Sequence, residues 1–222
     1  MTEQIFGFKT ANRWDYENGF YLTGDETRIA KVIAHYELYR SIIGLPGHVA
    51  EFGVYKGASL IRWCSFRHIL EAERSRKVIG FDAFGKFPAQ QDPADQVFVK
   101  RFESSGGDGI PVDELRKALS LKGFGNVELV AGDVCETLPA YVEKHPELKL
   151  ALIHIDVDVY EPSRVILEQL YDRVVSGGLI VLDDYGIIPG ETRAVDEFFN
   201  ARGGVLIEKS PITHTPTFIR KP

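Results

Sequence analysis

The sequence predicts an α/β fold: a mostly parallel, seven-stranded sheet with an antiparallel C-terminal strand and helices on both faces. Three observations predict it. Five apolar, β-branched runs recur along the 222 residues. Helical patterns fall between successive runs, and strand alternating with helix builds a parallel sheet covered on both sides. Two further short strands, "GVLIEKS" and "THTPTFIRKP", follow the last helix and read as an antiparallel hairpin at the end of the sheet.

Residues 1–45 stand apart as an N-terminal helical segment, expected to cap an acceptor site or to contact a second subunit. Within it, "GDETRIAKVIAHYELYRSI" (24–42) predicts a helix capped by Asp25 or Thr27, with Ile29, Val32, Ile33 and Tyr36 as its apolar stripe. Trp14, Tyr16 and Tyr21 are expected in the core, with an aromatic wall of the acceptor site as the alternative. Residues 46–222 form the main domain. Its strands are "HVAEFG" (48–53), "KVIGFDA" (77–83), "NVELVAGD" (126–133), "LALIHIDVD" (150–158) and "GLIVLDDY" (178–185). Helices are expected at about 57–75, 112–122, 135–145 and 160–175, and in "ETRAVDEFFNAR", which stops at Gly203-Gly204. The Gly- and Pro-rich segment 84–111 reads as a long loop acting as a lid.

Composition narrows the function. A net charge of −6 disfavours nucleic acid, whose phosphates need a basic face. The densest basic stretch, "RHILEAERSRK" (67–77), is interleaved with Glu71 and Glu73 and reads as a solvated helix end. No apolar run reaches the ~20 residues that span a bilayer, and the N-terminus lacks the basic start and apolar stretch of a signal peptide. Cys64 and Cys135 make neither a disulfide framework nor a CxxC zinc pair, so a reducing cytoplasm is the expected setting.

Each strand carries an acid at or near its C-terminal end: Glu51, Asp82, Asp133, Asp156 with Asp158, and Asp183 with Asp184. In open α/β sheets ligands bind outside those ends, so the acids are expected to line one crevice. Unpaired carboxylates crowded together repel and resist ionising. Neutralising one, as in Asp183→Asn, is then expected to relieve repulsion. The first turn, "EFGVYKGAS", offers Gly53 and Gly57 for close backbone approach, as in a nucleotide-binding turn. It is not G-x-G-x-x-G, and Glu51 would repel a diphosphate while suiting an ammonium or sulfonium. Asp82 stands where an acid accepts from both ribose hydroxyls, and Asp133 could accept from an adenine amino group. An adenosine carrying a cationic amino-acid tail is S-adenosylmethionine. An NAD-dependent oxidoreductase fits Asp82 but not Glu51 or the missing glycine motif.

The stretches "VAEFGVYKGAS", "GFDAFGKFP", "AGDVCETLP", "HIDVDVYEPSRVILEQLYDRVVSGGLIVLDDYG" and "PGETRAVDEF" resemble the macrocin O-methyltransferase family, among the class I, Rossmann-like methyltransferases that use S-adenosylmethionine. The fourth stretch is the most specific. The resemblance implies a cofactor site made by Glu51, Gly53, Tyr55, Gly57, Ser59, Asp82, Ala83, Asp133 and Asp156. It implies a divalent cation, typically Mg²⁺, on Asp156, Asp183 and Asp184, and hard cations do take carboxylate oxygens while keeping waters. It also implies a small-molecule acceptor, a sugar hydroxyl in a natural product or nucleotide sugar, with a catechol-like phenol as the alternative. A homodimer or higher homo-oligomer is expected. Asp158 is expected to be the general base, with Asp156 as the alternative. His154, alternating with Ile153 and Ile155, is expected to be buried or beside the cofactor rather than a metal ligand. Tyr160 and Arg164 open the next helix, in substrate contact or in packing.

Overall fold

A computed structural model describes residues 3–222. β1 (Gln4–Ile5) and β2 (Phe8–Lys9) form a small hairpin, followed by α1 (Arg13–Thr23) and α2 (Glu26–Ser41). The main body then runs β3 (His48–Phe52), α3 (Ala58–Leu70), β4 (Val78–Asp82), α4 (Pro93–Gly106), α5 (Val112–Leu121), β5 (Val127–Ala131), α6 (Val134–Lys144) and β6 (Leu150–Ile155). It ends with α7 (Tyr160–Leu170), β7 (Val174–Leu182), α8 (Pro189–Asn200), β8 (Glu208–Lys209) and β9 (Thr217–Arg220). Seven strands form one sheet in the order β5-β4-β3-β6-β7-β9-β8. β9 runs antiparallel to β7 and β8, and the other pairs are parallel, as the sequence predicts. No helix among the described residues is long and apolar enough to cross a membrane.

The strand pleat explains why both faces are greasy. Successive side chains point to opposite sides. Val49, Leu152, Leu179 and Val181 therefore join α2, α3 and α5 in one core cluster. Ala50, Ile153, Ile180 and Leu182 join α6, α7 and α8 in the other. Glu51 and His154 share the parity of Val49 and Leu152, and they pair in register on adjacent strands. They therefore point side by side into the α2–α3 face.

Three local expectations are corrected. The 84–111 segment is not a plain loop, because α4 occupies its middle. Asp92 caps α4 by accepting from the Ala94 amide, Pro93 sits in its first turn and Gly107 follows its end at φ +70°. Its apolar signal is short: Phe98 and Phe102 lie one turn apart and stack at 5.9 Å, amid charged and small residues. The 67–77 stretch is not a solvated face. α3 ends at Leu70, and Arg67 and Arg76 are buried. Arg67 donates to the carbonyls of Gly125, Asn126 and Arg76. Arg76 pairs with Glu71 and donates to the carbonyls of Ile42, Ile43, Leu45 and Gly47. A buried guanidinium is tolerable only with such partners, and here each one ties several loops together. In α2, capped by Asp25, the buried face is Ala34, His35, Leu38 and Tyr39. Ile29 and Ile33 of the expected stripe are exposed.

Candidate active site

The strand order reverses between β3 and β6, and the chain leaves both strands at the same end of the sheet. That switch point is where open α/β sheets hold ligands. Gly53 follows β3 at φ +87°, and a Cβ there would lie 1.7 Å from the Asp156 carbonyl oxygen. Only glycine permits this crossing of the two strand ends. Tyr55, at φ +50°, continues the turn, and its amide donates to Asp82 Oδ2 at 2.9 Å. Asp82 Oδ1 accepts from the Phe84 amide. The Asp82 carboxylate thus shapes the loops after β3 and β4 while keeping lone pairs free.

Beside these loops lies a cavity of about 340 Å³, within the range of small-molecule sites. Gly53, Tyr55, Asp82, Ala83, Asp133, Asp156, Asp158, Asp183 and Asp184 line it. Gly85, Phe87, Phe102 and Gly109 of the 84–111 segment close one side. That segment is latched at both ends. Tyr55 Oη donates to the Gly106 carbonyl at 2.6 Å, and the Ile110 amide donates to the Tyr55 carbonyl at 2.7 Å. At the other end the Tyr160 amide donates to buried Asp95 at 2.9 Å, and Arg193 pairs with Asp92 at 2.6 Å.

Three of the expected acids form one cluster: ligand atoms of Asp156, Asp183 and Asp184 all lie within 4.8 Å of one another. Their protonation differs for physical reasons. Burial and the Asp183 charge push Asp156 well above the usual carboxylate range. Burial and the Asp183 charge raise Asp184 to about 6. Asp158, held at φ +63°, is pushed up to about 8 by burial and by Asp184. Asp183 goes the other way. Burial would raise it, but His154 Nε2 at 3.2 Å and Lys31 Nζ at 2.5 Å hold it as a carboxylate. Burial would likewise lower His154, but its hydrogen bond to Asp183 and the Glu51 carboxylate 4.0 Å away prevail and raise it to about 10. The expected gain from Asp183→Asn therefore reverses: among these acids Asp183 is the one with counter-charges, and neutralising it strands them.

Sequence reasoning missed Lys31, His35 and Glu191. α2 carries the first two, one turn apart, onto the site. His35 is buried and stacks on Trp63 at 4.6 Å. Burial and the neighbouring His154 charge hold its pKa well below the usual range. The available signal was the i, i+4 pair Lys31/His35 flanking buried Ala34. Glu191 is fully buried; its Oε1 accepts from the Asp184 amide at 3.2 Å, and burial raises it strongly.

Several expected site residues lie elsewhere. Glu51 does not reach the crevice: the pleat turns it inward, where it is fully buried and accepts from Ser59 Oγ at 2.5 Å. Ser59 and Gly57, at the start of α3, are not among the residues that line the cavity, and Gly57 at φ +82° makes room for Leu115. Asp133 lines the cavity but also caps α6, accepting from the Cys135 amide at 2.8 Å. Tyr160 bonds Glu197, and Arg164 pairs with Glu161 and Glu168 on the surface. Trp14 and Tyr21 are largely exposed, so the expected core role fails for them, and Tyr16 instead accepts from the Lys9 amide. His154 is buried, as expected.

Comparison with known proteins finds relatives over most of the chain. The macrocin O-methyltransferase (TylF) family profile matches residues 18–221. The chain is 31% identical over 185 residues to the 8-demethyl-8-(2,3-dimethoxy-alpha-L-rhamnosyl)-tetracenomycin-C 4'-O-methyltransferase of Streptomyces olivaceus, covering 80% of this chain and 67% of that one. It is 30% identical over 169 residues to the mycinamicin III 3''-O-methyltransferase of Micromonospora griseorubida, covering 72% and 63%. With the demethyldecarbamoylnovobiocin O-methyltransferase of Streptomyces niveus it spans 58% of the relative's length. Among solved structures, the O-methyltransferase NovP superposes with a TM-score of 0.74 at 23% identity, over 87% of this chain and 80% of that one. The calicheamicin methyltransferase CalS11 gives 0.71 at 24%, over 94% and 85%. The fold is thus that of the class I methyltransferases, and the chain belongs to the macrocin O-methyltransferase family of S-adenosylmethionine-dependent O-methyltransferases.

Proposed function

We propose that the protein transfers the methyl group of S-adenosylmethionine to a sugar hydroxyl, with a divalent cation, typically Mg²⁺, held by Asp156, Asp183 and Asp184. The observation that carries this reading is the convergence of these acids and Asp158 on one cavity at the switch point. Family membership supports it, and so does the rhamnosyl group in the name of one relative. Gly53, Tyr55, Asp82, Ala83 and Asp133 would face the cofactor from the β3–β4–β5 side. Glu51 acts from behind, steadying Ser59 and His154.

The acids fit a hard cation. They are oxygen donors from two adjacent strand ends, and Asp184 Oδ2 is buried without a hydrogen-bond partner. Such a cation lowers the pKa of a coordinated alcohol and orients it. The rest falls to the chain itself. Asp158 lines the cavity beside these acids and is the side chain placed to take the hydroxyl proton, and a cation on its neighbours would favour its carboxylate form. The 84–111 segment and its phenylalanines exclude water from the cavity. The fold need only align acceptor oxygen and methyl carbon at about 3–3.5 Å for in-line displacement.

Methyl transfer to sugar-containing acceptors is expected to vanish in excess chelator and to return with Mg²⁺. Full activity in chelator would remove the metal, leaving a metal-independent transferase. Asp133 separates a structural from a cofactor role. Asp133→Ser keeps the α6 cap, so stability should stay within about 0.5 kcal/mol, whereas Asp133→Ala should cost about 1 kcal/mol. Calorimetry should show weaker S-adenosylmethionine binding in both variants; unchanged affinity in both means the residue is a cap and nothing more.

A further inference from the structure

Lys31 connects the N-terminal segment to the acid cluster. Its ammonium lies 2.5 Å from Asp183 Oδ2, and the charges of Asp156 and Asp184 add to the pull. Among the described residues it is the only lysine or arginine ion-paired with any of the three acids. Asp183 Oδ1 is already taken by His154 at 3.2 Å, so Lys31 holds the other oxygen of the same carboxylate. Lys31 also lines the cavity. An ammonium is a compact cation that satisfies carboxylates without demanding a coordination geometry. A divalent cation wants the same oxygens, with twice the charge.

The first turns of the helix that carries Lys31 are poorly anchored otherwise. α1 has no buried residue, and α2 is exposed from Glu26 to Ile29. Over residues 26–33 of α2, Lys31 makes the one side-chain hydrogen bond to the sheet among the described residues. The buried face begins only at Ala34.

We propose that Lys31 is a tethered counter-ion that competes with the divalent cation for Asp183, so that metal entry displaces it and loosens the first turns of α2. The inference rests on the cation site proposed above and adds a consequence: metal occupancy is read out in the helix that lends Arg28 and Lys31 to the cavity wall. A positive charge placed there in the metal-free protein keeps the acids together. The same charge weakens metal binding by repulsion and by blocking an oxygen.

The test is Mg²⁺ titration by calorimetry of cofactor-free protein, comparing wild type with Lys31→Met, which keeps the length and loses the charge, and with Lys31→Gln. Both variants should bind Mg²⁺ more tightly, by roughly tenfold or more. Hydrogen exchange over residues 26–33 should speed up when Mg²⁺ is added to wild type. In the variants it should be fast already and unmoved by Mg²⁺. Unchanged or weaker Mg²⁺ binding in both variants overturns the competition, and so does exchange in wild type that ignores Mg²⁺; the cation site itself survives either result. Absence of Mg²⁺ binding in wild type and variants alike overturns the cation site, and the competition with it. Binding in the variants alone means that Lys31 wins outright, which supports the competition.

Discussion

Asp158→Asn should lower turnover by ~10²–10⁴-fold, as for a lost general base, while S-adenosylmethionine and Mg²⁺ remain bound. Asparagine is the right probe, because Asp158 sits at φ +63° and asparagine tolerates that left-handed conformation where alanine would be strained. Stability should move in the opposite direction to activity. Burial and Asp184 raise the Asp158 carboxyl to about 8, above its ordinary value of 3.8. The folded state therefore holds a proton that the unfolded chain releases. Wild-type stability falls as pH climbs between those two values, and the loss is complete above the upper one. The amide of the variant has no such proton to lose, so in chelator the variant should melt higher than wild type at pH values above neutrality. The advantage should fade in acid. Rapid-quench methyl transfer and thermal melts at two pH values measure both effects. Undiminished turnover would transfer the role of base to Asp156.

Asp183→Asn should destabilise the metal-free protein by about 3–5 kcal/mol, the usual cost of removing one partner from a buried ion pair. For a chain of this size that corresponds to a fall of roughly 10 °C in melting temperature. The amide would leave the Lys31 ammonium and the fully buried His154 imidazolium without their shared carboxylate. Repulsion among Asp156, Asp183 and Asp184 is relieved at the same time. That gain is smaller, because burial already holds Asp156 well above the usual carboxylate range and so toward its protonated form. His154 should respond most visibly: stripped of Asp183, its pKa should fall well below about 10, followed by the imidazole NMR signals. Mg²⁺ binding should be lost as well. An unchanged or raised melting temperature would show that repulsion, rather than pairing, dominates the cluster.

The five β-branched runs, their acidic ends and the helices between them were legible because each depends on short-range pattern. A strand needs period two or a continuous apolar run, and a helix needs period 3.6. The order of these elements leaves few topologies for a parallel sheet. The acids of the crevice were legible for the same reason, since they directly follow their strands. α4 was not, because a capped helix with a two-phenylalanine stripe looks like a loop when its neighbours are glycine and proline. Arg67 and Arg76 were misread because sequence reports charge but not the carbonyls that surround it.

By itself, then, the sequence determined the α/β architecture, the antiparallel end of the sheet and the gathering of Asp82, Asp133, Asp156, Asp158, Asp183 and Asp184 at one end. Tertiary structure alone decided their chemistry. Gly53 is required by the Asp156 carbonyl arriving from a strand far along the chain, a contact no local pattern announces. Glu51 is turned from the crevice to the core by the pleat and by its register with His154. Lys31 reaches Asp183 across 152 positions of chain. The physical reason is one of range. Backbone propensity and hydrophobic period act within a few residues, whereas charge state depends on burial and on whatever ion the fold brings within a few ångströms.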